Sequence, residues 1–271
     1  MILEMDFQLV RRKIMNKLFI IKSEKEINLL KENGIDNFVY PLFSFCVGVE
    51  NEFSLSEIKE ENSYLFVNRV LDEESANNLN MLLHKLPNNI KGIIFDDVGI
   101  IKMLEDVKIE KILMPSHFAC NYESVNIYNE YVDSVVLPFD ITENEVEEII
   151  SKSSKKVSLY AFGLIGSAYS RRYLIKNYSK HENVKYENPL VIENNNHKFI
   201  LFENEYGTYF YHLPYFNGLN NLNKDIKYAI YHPICLSEND LKDLVNGEIN
   251  VETDDGFLHN KTIYKIKGDK K

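Results

Sequence analysis

The chain has 271 residues, 45% of them hydrophobic and 27% charged, enough to bury a full core without disulfides or a structural metal. With 31 basic against 41 acidic side chains its formal net charge is -10, which argues against a protein that coats nucleic acid through a broadly basic surface. Three scattered cysteines, Cys46, Cys120 and Cys235, form no CxxC pair and support neither a disulfide framework nor a cysteine-rich zinc or iron–sulfur site.

The amino-terminal stretch MILEMDFQLVRRKIMNKLFII carries charges at Glu4, Asp6, Arg11, Arg12 and Lys13 and has no apolar run long enough for a signal peptide. Nothing elsewhere approaches ~20 consecutive apolar residues, so a cytoplasmic protein without a membrane partner is expected. Residues 1–16 read as an N-terminal extension and 17–267 as a single domain.

From Lys17 onward, β-branched or aromatic runs alternate with polar segments of helical period, the pattern of βαβ units. LFIIK (18–22) reads as the first strand, followed by a helix capped by Ser23 and stopped at Gly34. IDNFVYPL is a second strand, a short helix is expected from Ser54 through Ile58 and Lys59, and SYLFVNRV (63–70) is a third strand. Asp72 caps the helix EESANNLNMLLHKL. IKGIIFDD, KILMPSH, DSVVLPF and KVSLYAFG supply strands four to seven, separated by the helices IIKMLEDV, ESVNIYNEYV and ENEVEEIISKSS, the last capped by Thr142. YSRRYLIKNY reads as a helix. Residues 181–215 form a loop and β-hairpin insertion turned at Glu205, Tyr206 and Gly207, before DIKYAIYHPICL and SENDLKDLVNG complete an eighth unit. So many strand–helix alternations predict an α/β fold, a TIM-like (β/α)8 barrel with the hairpin inserted after the seventh strand.

In such a barrel the chemistry sits at the carboxyl ends of the strands. Asn68 and Arg69, Asp96 and Asp97, Ser116 and His117, Asp140 and the segment after Gly163 fall there. Of Asp96 and Asp97, one faces the mouth and the other turns away, or caps the following helix. Acid and base work is assigned to Asp97 and His117. The His117–Cys120 spacing invites a cysteine-hydrolase reading, against that of an inert core thiol. Only five residues are arginine, and two of them, Arg171 and Arg172, stand together beside Tyr169 and Ser170. That pair suits bidentate capture of a carboxylate or phosphate, one arginine binding substrate while the other braces Asp97 or Asp140; the alternative is a pair of surface ion-pair residues. Tyr169 is a ligand-contact candidate. His84, His181, His197, His212, His232 and His259 show no metal-ligand spacing and read as surface or core residues.

The segment KVSLYAFGLIGSAYSRRYLIKNY resembles the signature of the collagenase-like peptidase family U32, with Tyr160, Phe162, Gly163, Tyr169, Ser170, Arg172, Leu174, Asn177 and Tyr178 aligning. GIIFDDVGIIKMLED is similar to that family's D-x-G step, with Asp97 and Gly99 in register. MPSHFACNYESVNIYNEYVDSVVLPFDITENEVEEI matches its next two units, with His117 and Asn121, and GFLHNKTIYKIK (256–267) its closing segment. The resemblance spans residues 17–267 and implies a TIM-like barrel with a peptidase-like activity. Together with the strand-end positions, it leaves Asp97, His117 and Asp140 as the catalytic candidates and Asn68, Asn121, Tyr169, Ser170, Arg171 and Arg172 as the substrate-binding candidates.

Two departures bear on activity. Longer members carry a cysteine where this chain has Tyr173, and those that hydroxylate RNA bases or a quinone precursor depend on an iron–sulfur cluster, so no such cluster, no other cofactor and no metal is expected. The acidic residue that follows the sixth strand is replaced in Pro138-Phe139-Asp140, with Asp140 as the substitute. No GxSxG or HExxH motif is present. The readings left open are a hydrolase acting on an anionic small molecule or peptide, a non-catalytic paralogue that binds a small ligand or a partner subunit, and an accessory factor in RNA modification with a local basic patch.

Overall fold

The computed structural model describes residues 16–221 and 224–260. Apart from Asn16, the expected extension over 1–16 lies outside the described residues, as do residues 261–267 of the closing segment. Seven parallel strands, β1 (Asn16–Ile20), β2 (Phe38–Pro41), β3 (Ser63–Val67), β4 (Ile90–Phe95), β5 (Glu110–Leu113), β6 (Ser134–Leu137) and β7 (Ser158–Ser170), pair in sequence order. An antiparallel insertion follows, made of β8 (Leu190–Asn194), β9 (His197–Asn204) and β10 (Gly207–Asn217). The eighth barrel strand, β11 (Tyr228–His232), then closes the ring by pairing in parallel with both β1 and β7. This is the TIM-like barrel with an insertion after the seventh strand.

Seven helices pack outside or beside it among the described residues: α1 (Glu24–Glu32), α2 (Glu73–Leu83), α3 (Gly99–Met103), α4 (Tyr122–Asn129), α5 (Glu143–Lys152), α6 (Leu174–Glu182) and α7 (Glu238–Asn246). Their ends follow the sequence. Ser23, Asp72 and Ser237 accept backbone N–H bonds in the first turns of α1, α2 and α7, Thr142 and Glu145 form a capping box on α5, and Gly247 ends α7 at a φ of 88°. No described helix is long and apolar enough to cross a membrane.

Three local expectations change. Residues 54–58 make a turn rather than a helix, next to a bridge between Phe53 and Leu42. The helix read over YSRRYLIKNY begins only at Leu174, because Tyr169 and Ser170 are held extended by pairing with Tyr209 and Thr208 of β10. The insertion also has a third strand, β8, where a loop was expected; its apolar Leu190, Val191 and Ile192 lie opposite Leu201, Ile200 and Phe199 of β9.

The barrel interior obeys the two-residue period of a strand. Leu18, Ile20, Val39, Phe66, Ile94, Ile112, Val136 and Ile230 form one buried inner cluster, while Phe19, Phe95, Leu113, Val135 and Tyr231 face the helices. At the amino-terminal end, the Glu110 carboxylate accepts from the hydroxyls of Tyr64 (3.2 Å) and Tyr228 (2.6 Å), and a Cβ on Gly92 would stand 2.7 Å from the Tyr64 ring. Side chains fill that end, so the opening is at the other.

Candidate functional site at the barrel mouth

Continuing the inward parity by one step carries Asn68, Asp96 and His232 to the carboxyl ends of β3, β4 and β11. There they line a cavity of about 60 Å³, room for about four waters. Phe66, Met114 and Val136 form its floor, and Ser116 and Phe139 stand at its side. Tyr160 from β7 and Tyr209 and Tyr211 from β10 complete the wall, so the insertion contributes directly to the mouth.

Glycines let the tyrosines in. Gly163, at a φ of 150°, sits where β7 leaves the barrel, and a Cβ there would lie 2.3 Å from the Tyr160 hydroxyl and 2.6 Å from the His232 carbonyl oxygen. A Cβ on Gly166 would lie 2.3 Å from the Tyr209 hydroxyl. Ser44, Ser116 and Cys235, in the loops after β2, β5 and β11, hold positive φ values of 70°, 51° and 62°, so backbone strain gathers on this face.

Polar groups in the cavity divide into tied and free. The hydroxyls of Tyr160 and Tyr211 donate to the carbonyl oxygens of Leu164 (2.9 Å) and Gly48 (2.6 Å). Among the described residues no side chain bonds to the Asp96 carboxyl, the Tyr209 hydroxyl or the His232 imidazole. Burial, reinforced by the neighbouring charge of Asp97, pushes Asp96 up to about 6. Burial, with Lys22 adding to it, pushes His232 down to about 3 and keeps the imidazole neutral.

The residues singled out in the sequence lie around this cavity in differing roles. Asp97 turns away from it and accepts the Gly99 N–H at 2.8 Å. Asn68 lines the cavity, but its side-chain amide bonds both backbone groups of Val47 at 2.9 Å. Asn121 caps α4 by accepting the Ser124 N–H. The Tyr169 hydroxyl donates to the Tyr206 carbonyl oxygen, and Ser170 accepts from the Arg172 N–H. Arg171 and Arg172 are exposed and outside the cavity lining; Arg171 approaches Asp72 at 3.6 Å rather than Asp97 or Asp140.

His117 and Asp140 are brought together across 23 residues of sequence, because β5 and β6 are neighbours. His117 Nδ1 lies 2.6 Å from Asp140 Oδ2. The imidazole is 55% exposed and packs edge-on to Phe139, which lines the cavity, so the pair stands on its rim. A carboxylate accepts from an Nδ1–H, and in that tautomer of the neutral imidazole Nε2 keeps its lone pair. Cys120 donates its thiol hydrogen to the His117 carbonyl oxygen at 2.9 Å, and burial together with the Asp140 charge raises its pKa. That favours the thiol over the thiolate. Cys46 is buried and donates to the Phe66 carbonyl oxygen, and Cys235 lies after β11. The three cysteines are not brought together, and no group of three or more His, Cys, Asp or Glu side chains is placed to hold a metal among the described residues. The donor set does not fit an iron–sulfur cluster.

Of the lining residues, Asp96 is the member of the Asp96–Asp97 pair that faces the mouth, whereas the sequence reading gives His232 only a surface or core place and Tyr209 no role. For the first two a signal exists: counting by twos from the apolar inward residues Ile94 and Ile230 lands on them.

A family model described as peptidase family U32 matches residues 49–212, a span that includes Asp96, His117, Asp140 and most of the insertion. A solved structure described as that of the U32 peptidase Mk0906 superposes with a TM-score of 0.51 at 10% identity, covering 81% of this chain and 92% of that one. No curated protein is similar enough to count as a match.

Proposed function

Because the chain belongs to peptidase family U32, we propose that it is a hydrolase of peptide-like substrates whose reaction is run on the rim of the mouth by His117 and Asp140. The observation that carries this reading is the 2.6 Å contact between them, a base oriented by a carboxylate beside a cavity able to hold part of a substrate. His117 Nε2 takes a proton from a water whose oxygen attacks the amide carbon. The C–N bond then breaks as that proton passes to the departing nitrogen, while Asp140 holds the ring and stabilises its charged form.

The test is mass spectrometry of a defined peptide mixture incubated with the protein. His117→Ala and Asp140→Asn are each expected to lower kcat by about 100-fold or more, with KM little changed. No cleavage by the parent protein, or equal cleavage by both variants, rules the reading out. The small size of the cavity favours a second reading, a barrel that holds a small ligand without converting it; binding without cleavage is its signature.

A further inference from the structure

The cavity lining does not include the paired arginines on which the expectation of an anionic substrate rests. Among the described residues Asp96 is the only carboxylate in the lining, and no lysine or arginine is part of it. His232 adds no positive charge. Lys22, whose charge acts on His232, is taken up by Glu50 at 3.0 Å, Glu26 at 3.6 Å and the Leu236 carbonyl oxygen at 2.9 Å. With the hydroxyls of Tyr160 and Tyr211 tied to backbone, those rings offer the cavity mainly carbon surface; the lining groups left without a side-chain partner are Tyr209, His232, Ser116 and Asp96, whose carboxyl meets the backbone N–H groups of Asp96 and Asp97. A carboxylate without a side-chain partner, surrounded by tyrosine rings, is the complement of a small organic cation, stabilised by a charge-assisted hydrogen bond and by the rings' quadrupoles.

We infer that the mouth of the barrel is an ammonium pocket, in which Asp96 accepts hydrogen bonds from a primary amine of the substrate and the tyrosines surround it. The inference rests on the hydrolase reading and deepens it. A substrate anchored by its α-ammonium group at Asp96 would present a nearby amide to His117 on the rim, giving a preference for free amino termini. Asp96 is then a binding residue and leaves the proton transfers to His117.

Calorimetric titration separates the possibilities with three probes: alaninamide, its N-acetylated form and acetate. Alaninamide is expected to bind at least about tenfold more tightly than either of the others. Asp96→Asn is expected to abolish that preference, and Asp96→Glu to retain it. No measurable binding of alaninamide, equal binding of the acetylated compound, stronger binding of acetate, or an unchanged preference in Asp96→Asn would each overturn the inference. Because the titrations are run in the His117→Ala background, binding is read without turnover, and a protein that captures alaninamide but cleaves no peptide refutes only the hydrolase reading. One that cleaves N-acetylated peptides as readily as free ones refutes only the ammonium pocket.

Discussion

The guanidinium carbon of Arg69 lies 3.6 Å from the centre of the Tyr206 ring, stacking the end of β3 against the turn between β9 and β10. The same arginine is buried and donates to the Ser44 carbonyl oxygen at 2.7 Å and to Ser75 Oγ at 2.8 Å. It therefore locks three segments at the mouth. Asn204 adds a bond to the Cys46 carbonyl oxygen, and Tyr169 one to that of Tyr206. We expect Tyr206→Ala to cost about 1 kcal/mol and Arg69→Ala about 3 kcal/mol, since the latter strands buried acceptors. Arg69→Lys should not recover the loss, because an ammonium lacks the planar fork. Urea denaturation, with hydrogen exchange read at residues 204–209, checks both.

Glu203 of β9 reaches out of the insertion to the start of α6. Its carboxylate accepts from the backbone N–H groups of Ile175 (2.8 Å) and Lys176 (3.0 Å) and from Thr208 Oγ1 (2.7 Å). It supplies the cap that Tyr173, at the N-cap position, cannot provide. Glu203→Ala is expected to destabilise the protein by about 3 kcal/mol and to strip exchange protection from α6 first.

Burial holds two carboxyls unusually high, Asp96 at about 6 and Glu52 at about 7, against ordinary values of 3.8 and 4.5. Each keeps in the folded state a proton that the unfolded chain has already released. Their contribution to stability is therefore largest below pH ~4 and falls with rising pH, that of Asp96 being lost by about pH 6 and that of Glu52 by about pH 7. His232 works in the opposite direction, its contribution growing between about pH 3 and 6.5. Comparing Asp96→Asn with the parent cancels the other two groups. The variant should match the parent near pH ~4 and exceed it by about 3 kcal/mol above pH ~6, read from urea midpoints across that range.

Gly166 is kept free of a side chain by the Tyr209 ring. A Cβ there would meet the hydroxyl at 2.3 Å, and the ring has no room to retreat, because the Tyr209 Cβ already faces Gly48 at the distance a Cβ would fill. Gly166→Ala should cost about 1 to 3 kcal/mol and weaken alaninamide binding by about tenfold or more as Tyr209 is displaced from the wall. Titration of the folded variant checks this.

The barrel itself was legible because each strand carries its own period and each helix its own cap, as Ser23, Asp72, Thr142 and Ser237 illustrate. The site was legible only in part. Asp96 and His232 follow from strand parity, but choosing Asp96 over Asp97 requires knowing that Ile94 faces inward, which a run buried on both sides does not announce. His117 and Asp140 follow from the neighbouring positions of β5 and β6. Tyr209 had no local signal, since its place depends on the register of β10 against the far half of β7. Likewise, two arginines stood out by their adjacency, yet among the described residues the buried arginine is Arg69, covered by the aromatic turn that folds onto it.

The thirteen residues of β7 belong to the parallel ring at one end and to the antiparallel insertion at the other, and β11 has to find its place between β7 and β1. Its pairing joins Asn16 to Tyr228, among the most distant partners along the chain. During synthesis the first seven strands emerge as an open curl with two bare margins, and these stay unjoined until the last barrel strand leaves the ribosome. The ring therefore cannot close before residues 228–232 are made, and until then the β1 margin has no partner of its own to exclude a stray strand.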